Sequence, residues 1–241
     1  MFRQAASVFS FLTIIPTGSS DLSTVARHMY LFPLIGIAIG LIVGAAGYGL
    51  SLFLEPLVVG LLVAAGLALI TGIHHLDGLS DFADGLMVRG TREKKQQVMK
   101  DPSVGSAGIV AIVLYVAGVI VALSAMRGFE LFYAILVGEI IAKFSMVLVA
   151  SLGPSAWEGS NTSFVDSMRD RKKLAIAAAI TIGSVAALQN NVGFVALGVG
   201  VALSLILVFV SRRSFGGVSG DVMGAANEIA RVSSFLVLAS A

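Results

Sequence analysis

The chain has 241 residues, of which 57% are hydrophobic and only 12% charged, about half the charged share of an ordinary soluble domain. That balance excludes a soluble globular fold, because too few polar residues remain to face water. The absence of cysteine excludes disulfides, thiolate metal sites and thiol nucleophiles; a net charge of +2 says little by itself, and no nucleic-acid partner is expected.

At the N-terminus, Arg3 precedes an apolar run from Ala5 to Pro16. No soluble domain follows, and Thr17-Gly18-Ser19-Ser20 is a weak cleavage motif, so a secretion signal is not expected. An interfacial or re-entrant helix is predicted over 2–15, with a first full span as the alternative. A spanning helix needs about 20 mostly apolar residues to cross about 30 Å of hydrocarbon. Hydropathy and length predict spans near 31–54, 57–73, 107–126, 131–152, 174–190 and 194–211. A seventh segment near 219–240 is polar in its first half. Glu55-Pro56, Arg127-Gly128 and Asn190-Asn191 mark tight breaks, and longer polar loops cover 74–106 and 153–173. The fold expected is all-α: one polytopic transmembrane helix bundle over 1–241, with about six to seven spanning helices plus the N-terminal helix. Its solvent is the lipid bilayer, and the sequence leaves open whether it forms a homo-oligomer.

Alternating these spans tests the count. The N-terminal region and the loops 74–106, 153–173 and 212–218 then share one side. Of the sixteen basic residues, only Arg127, Lys143 and Arg231 fall elsewhere. The positive-inside rule makes the basic side cytoplasmic, and the protein is expected in the inner membrane with its site facing the cytoplasm. Gly36, Gly40 and Gly44 repeat at four-residue spacing in the first span, a stripe that lets helix backbones approach closely in lipid.

The segment from His74 to Leu86 carries the chemistry. If the second span continues through it as a helix, His74, Asp77, Asp81 and Asp84 fall within an arc of about 80°. Three carboxylates crowded at the edge of an apolar span need a compensating cation. Magnesium is the natural one, because it takes a few carboxylate oxygens together with substrate phosphates. A solvated acidic turn is the plainer alternative. Arg89, Arg92, Lys94, Lys95 and Lys100 follow, then Asp101-Pro102-Ser103-Val104-Gly105-Ser106-Ala107-Gly108. Basic groups beside metal-binding carboxylates suit a diphosphate. The Ser/Gly-rich stretch precedes a helix, whose first N–H groups can hold an anion. For Lys94 and Lys95 the positive-inside bias is explanation enough.

A second run, Phe215 to Glu228, is rich in Gly and Ala and places Asp221, Asn227 and Glu228 at the start of the last segment. Asp221 and Glu228 share a helix face, on the same side of the membrane as the acidic trio. Within the span at 131–152, Glu139 and Lys143 are spaced as an i,i+4 ion pair.

Together these blocks resemble the cobalamin synthase family, the adenosylcobinamide-GDP ribazoletransferases. The likeness covers nearly the whole chain: Phe9 to Pro16, Phe32-Pro33-Leu34-Ile35-Gly36, His75 to Gly85, Val98 to Gly105, and Gly216 to Glu228. An Arg is expected in the first block, where Ile14-Ile15 stand. The resemblance implies a magnesium-dependent inner-membrane enzyme. Its substrates would be adenosylcobinamide-GDP and α-ribazole, or α-ribazole 5′-phosphate. The 5′-oxygen of the ribazole attacks the cobinamide-linked phosphorus, and GMP leaves. Under that reading Asp77, Asp81 and Asp84 are the catalytic and metal-binding residues, with Asp221 a further metal ligand. His74, Arg89, Lys100, Asp101, Asn227 and Glu228 are the substrate contacts. Two rivals remain at this stage. Asp81-x-x-Asp84-Gly85-x-x-Val88-Arg89 looks like the start of the CDP-alcohol phosphotransferase signature, although Val98 stands where that signature has Gly. A cation-coupled transporter is the other.

Overall fold

A computed structural model describes residues 2–18, 21–189 and 191–241. Ser19 and Ser20 of the weak cleavage motif, and Asn190 of the predicted break, lie outside the described residues. The helices are α1 (Phe2–Leu12), α2 (Leu22–Arg27), α3 (Phe32–Ser51), α4 (Pro56–Ile70), α5 (His74–Met87) and α6 (Arg92–Met99). They continue with α7 (Ser106–Ser124), α8 (Gly128–Leu152), α9 (Ser160–Ser167), α10 (Arg171–Ala187), α11 (Asn191–Phe215) and α12 (Gly220–Ala239). No strand occurs among the described residues, so the protein is an all-α bundle.

Five helices are long and apolar enough to cross a membrane: α3 with the turn before it, α7, α8, α11 and α12. The protein is therefore a multi-pass membrane protein. α4 and α10, with 15 and 17 residues, are shorter apolar members of the same bundle. Large apolar side chains such as Leu57, Leu61, Leu114, Ile206 and Phe209 remain exposed on the outer faces, where a lipid-facing helix needs them.

α8 is the axis. Its side chains from Tyr133 to Ala150 are all buried, Glu139 and Lys143 among them. α3 packs on it through the predicted glycine stripe. A Cβ on Gly36 would sit 3.0 Å from the Glu139 carbonyl carbon, one on Gly40 2.8 Å from the Leu136 Cα, and one on Gly44 3.1 Å from the Phe132 ring. Any side chain there forces the two helices apart.

The second span does not continue into the acidic segment. α4 stops at Thr71, where the Ile73 N–H donates to Ala68 O at 3.1 Å and the Gly72 N–H to Leu69 O at 3.0 Å, the paired closure of a Schellman end. Gly72 and Ile73 both take φ +66°, a region costly for a β-branched residue. The Ile14 N–H caps Ile70 O at 2.9 Å, so the N-terminal segment helps hold the stop in place. The chain turns by 92° into α5.

α5, too short to be one of the five spanning helices, then lies across the first turns of α7 and α12. Its crossing with α12 is made of glycine. A Cβ on Gly78 would meet the Asp221 Cα at 3.0 Å, and one on Gly224 would meet His75 O at 3.2 Å. α6 is tied to the same end, because Gln96 Nε2 donates to Phe215 O at 3.0 Å. The predicted basic loops thus gather, with their helices, at one end of the bundle.

Candidate active site at the basic end of the bundle

α5 presents its carboxylates in graded environments: Asp77 is exposed, Asp81 half-buried and Asp84 buried. The first turn of α12 adds Asp221, whose Oδ2 accepts from Ser219 Oγ at 3.2 Å. Ser219 in turn caps the helix by accepting from the Val222 N–H at 3.3 Å. Partial burial, then the charges of Asp77, Asp221 and Asp84, push Asp81 up from 3.8 to about 7. The predicted trio and Asp221 therefore lie near enough to act on one another.

Asp84 has a role that the sequence did not suggest. Its Oδ2 accepts from the Gly105 N–H at 2.7 Å and its Oδ1 from the Gly108 N–H at 2.9 Å. The anion predicted at the start of α7 is this side chain. Its place also explains both glycines, because a Cβ at either position would overlap the carboxylate. Asp84 anchors the loop between α6 and α7 to α5.

The other predicted residues are spread around this group. Asp101 is exposed and its Oδ1 accepts from the Ser103 N–H at 2.8 Å. It shares an open groove of about 380 Å³ with Asp84 and Gly105. Lys100 Nζ lies 4.9 Å from the centroid of the Trp157 ring, and its charge reaches Asp221. Arg89 is exposed just beyond the end of α5, and His74 is exposed at its start.

Asn227 and Glu228 are not brought into this group. Both are fully buried in a charge network inside the bundle. Lys143 Nζ donates to Asn227 Oδ1 at 2.7 Å, and Asn227 Nδ2 donates to Glu228 Oε1 at 2.9 Å. Arg231 donates to Glu228, to both oxygens of Glu139 and to Tyr115 Oη. The predicted Glu139–Lys143 pair is present at 3.6 Å, as one edge of this larger network. Expecting Asn227 and Glu228 to touch substrate read their position at the start of a segment without the partners that enclose them. Arg231, a charge inside a predicted span, was the available signal.

His75 also gains weight. It is 7% exposed, and its Nδ1 has no hydrogen-bond partner. Burial, then the charges of Lys143 and Arg231, hold it well below the usual histidine range, so the ring is neutral.

Among the described residues no three His, Asp or Glu side chains form a complete metal cage. Crowded, partly exposed carboxylates beside basic residues suit a different arrangement. Magnesium characteristically takes one or two protein oxygens and fills its shell with water and phosphate oxygens.

The comparisons with known proteins agree over the whole chain. Residues 4–239 match the family described as cobalamin-5-phosphate synthase. The adenosylcobinamide-GDP ribazoletransferase of Methanocella arvoryzae is 35% identical, over 96% of this chain and 93% of its own. That of Thermococcus onnurineus is 33% identical, over 98% and 97%, and that of Methanococcoides burtonii 29%, over 96% and 90%. No solved structure matches. A match from one end to the other, with the acidic block and the C-terminal block meeting at one site, makes the chain a member of the cobalamin-5-phosphate synthase family.

Proposed function

We propose that the protein joins α-ribazole, or its 5′-phosphate, to adenosylcobinamide-GDP with release of GMP, at a site open to the cytoplasm. Family membership supports the reaction. The observation that carries the site is the meeting of Asp77, Asp81 and Asp221 across the α5–α12 crossing, with Asp81 raised to about 7 by burial and then by its neighbours. In the reaction a bond forms between a free ribose hydroxyl oxygen of the ribazole and the cobinamide-linked phosphorus; the 5′-oxygen expected from the sequence cannot serve in the 5′-phosphate form, where it is already esterified. The bond from that phosphorus to the oxygen bridging to GMP breaks. The hydroxyl proton must leave as the bond forms, and a carboxylate that its site holds above the usual range is a better acceptor than an unperturbed one. Asp81 is assigned that proton.

Asp77 and Asp221 would hold magnesium, with Asp81 at its edge. When bound, the ion neutralises the diphosphate and the departing GMP. Asp84 keeps the loop bearing Asp101 against α5. Lys100 and Arg89 lie at the exposed rim, where they suit the outer phosphate oxygens of a polyanionic substrate. Asn227 and Glu228 support the reaction from beneath by keeping α12 seated on α8.

Purified protein in lipid nanodiscs, given adenosylcobinamide-GDP, α-ribazole and magnesium, is expected to release GMP in equal amount to the cobalamin formed. GMP that appears without α-ribazole, or no GMP at all, would refute the reaction.

A further inference from the structure

A cavity of about 250 Å³ lies beside the carboxylates, between the surface helices α1, α2 and α9 and the bundle helices α3, α8 and α12. Phe11, Phe32 and Phe164 form its ring-lined wall. The Phe164 ring stands 5.8 Å from that of Phe11 and 6.5 Å from that of Phe32. Met146 and Met223 come from the bundle side. The polar side chains of the lining are Asp221, the two histidines of α5 and Asn161 of α9.

We infer that this cavity seats the base of the nucleoside substrate, and that His75 hydrogen-bonds the nucleoside. The inference rests on the proposed reaction and deepens it. Three observations lead there. The lining is aromatic and methionine-rich, which favours a flat apolar ring system through stacking and sulfur contacts. His75 is buried along this cavity with Nδ1 unpaired, and a buried polar atom without a partner is costly unless a ligand supplies one. Asp221 belongs both to the cavity edge and to the carboxylate group. A base seated inside thus leaves its ribose, with the attacking hydroxyl, at the carboxylates.

The competing parts of the two substrates fit less well. Pockets for drug-sized ligands run to about 300–1,000 Å³, so this cavity admits a bicyclic base and excludes a corrin ring. Guanine would bury several donors and acceptors among phenylalanine and methionine, with only Asn161, Asp221 and the two histidines to meet them, and each unpaired group counts against it. The assignment also gives the N-terminal helix a task. Phe11 of α1, with Leu22 of α2 and Phe164 of α9, closes the cavity over the bundle.

The test is a split between the two Michaelis constants, measured on the full-length protein in nanodiscs by GMP release. Leu22→Trp projects bulk into the cavity from a half-buried position, and His75→Gln alters the unpaired nitrogen without a change of charge. Each is expected to raise KM for α-ribazole roughly tenfold or more, with KM for adenosylcobinamide-GDP within twofold of the parent value. If KM for adenosylcobinamide-GDP rises instead, the cavity holds guanine and the assignment is overturned. It is equally overturned if both variants turn over with neither constant moved, as a cavity filled by a lipid chain would give. Should His75→Gln fail to fold, Leu22→Trp alone decides. An unmodified protein that releases no GMP sinks the proposed reaction itself, whereas unmoved constants in an active protein sink only the cavity assignment.

Discussion

Asp81 and Asp84 are three residues apart on one helix and are held by different forces. Asp81 feels burial and three neighbouring carboxylates, so it carries a proton up to about pH 7 when no cation is present. A cation binding there must displace that proton. GMP release at limiting magnesium is therefore expected to rise as pH increases through about 7, and saturating magnesium should move that limb to lower pH. A limb that ignores magnesium would mean that Asp81 and the ion do not compete. Asp81→Asn removes the proton acceptor and should cut turnover by roughly 10²–10⁴-fold, with insertion and melting unchanged. Asp84→Asn should behave otherwise. It replaces one acceptor oxygen with an NH2 facing a backbone N–H, so about 1–3 kcal/mol of stability is expected to go as the α6–α7 loop detaches. Hydrogen exchange at Gly105 and Gly108 would register that release, and unchanged protection would refute the anchoring role.

Between elements, the decisive contact is the buried network that joins α8, α12 and α7. It holds two cations, Lys143 and Arg231, and two anions, Glu139 and Glu228, all within 1% of full burial. Charge inside a membrane protein is costly unless it is paired, and here the sum is zero. Arg231→Met leaves Glu228 without a cationic partner and should destabilise the bundle by about 3–5 kcal/mol. Adding Glu228→Gln restores neutrality and should recover part of that loss. Unfolding in bicelles would measure both, and a double variant no better than the single one would show that shape rather than charge governs the contact. The same network explains the fixed seat of α12, whose first turn carries Asp221 to the site while its middle is locked to α8.

At the scale of the molecule, the two ends of the bundle differ in charge. The basic end carries α5, α6, α9 and the site, while Arg127, paired with Glu55 at 3.9 Å, stands at the other. The positive-inside rule predicts that the site faces the cytoplasm. Because the chain has no cysteine, single substitutions report cleanly. Arg127→Cys is expected to react with a membrane-impermeant maleimide in intact cells, and Arg89→Cys only after permeabilisation. The reverse pattern would turn the protein over and leave cytoplasmic substrates without access.

Hydropathy, helix length and the distribution of lysine and arginine determined the multi-pass bundle from the sequence alone, because bilayer thickness acts on each segment separately. Local spacing likewise made the α3 glycine stripe and the Asp77–Asp84 face legible. The tertiary structure decided what depends on segments distant in the chain. It broke the second span at Thr71 and laid α5 across α7 and α12. It gave Asp84 to the glycine loop, drew Asn227 and Glu228 into the ion network, and left His75 facing a cavity roofed by α1, α2 and α9. A polar side chain finds its partner by helix packing, and the identity of that partner is written in no single stretch of sequence.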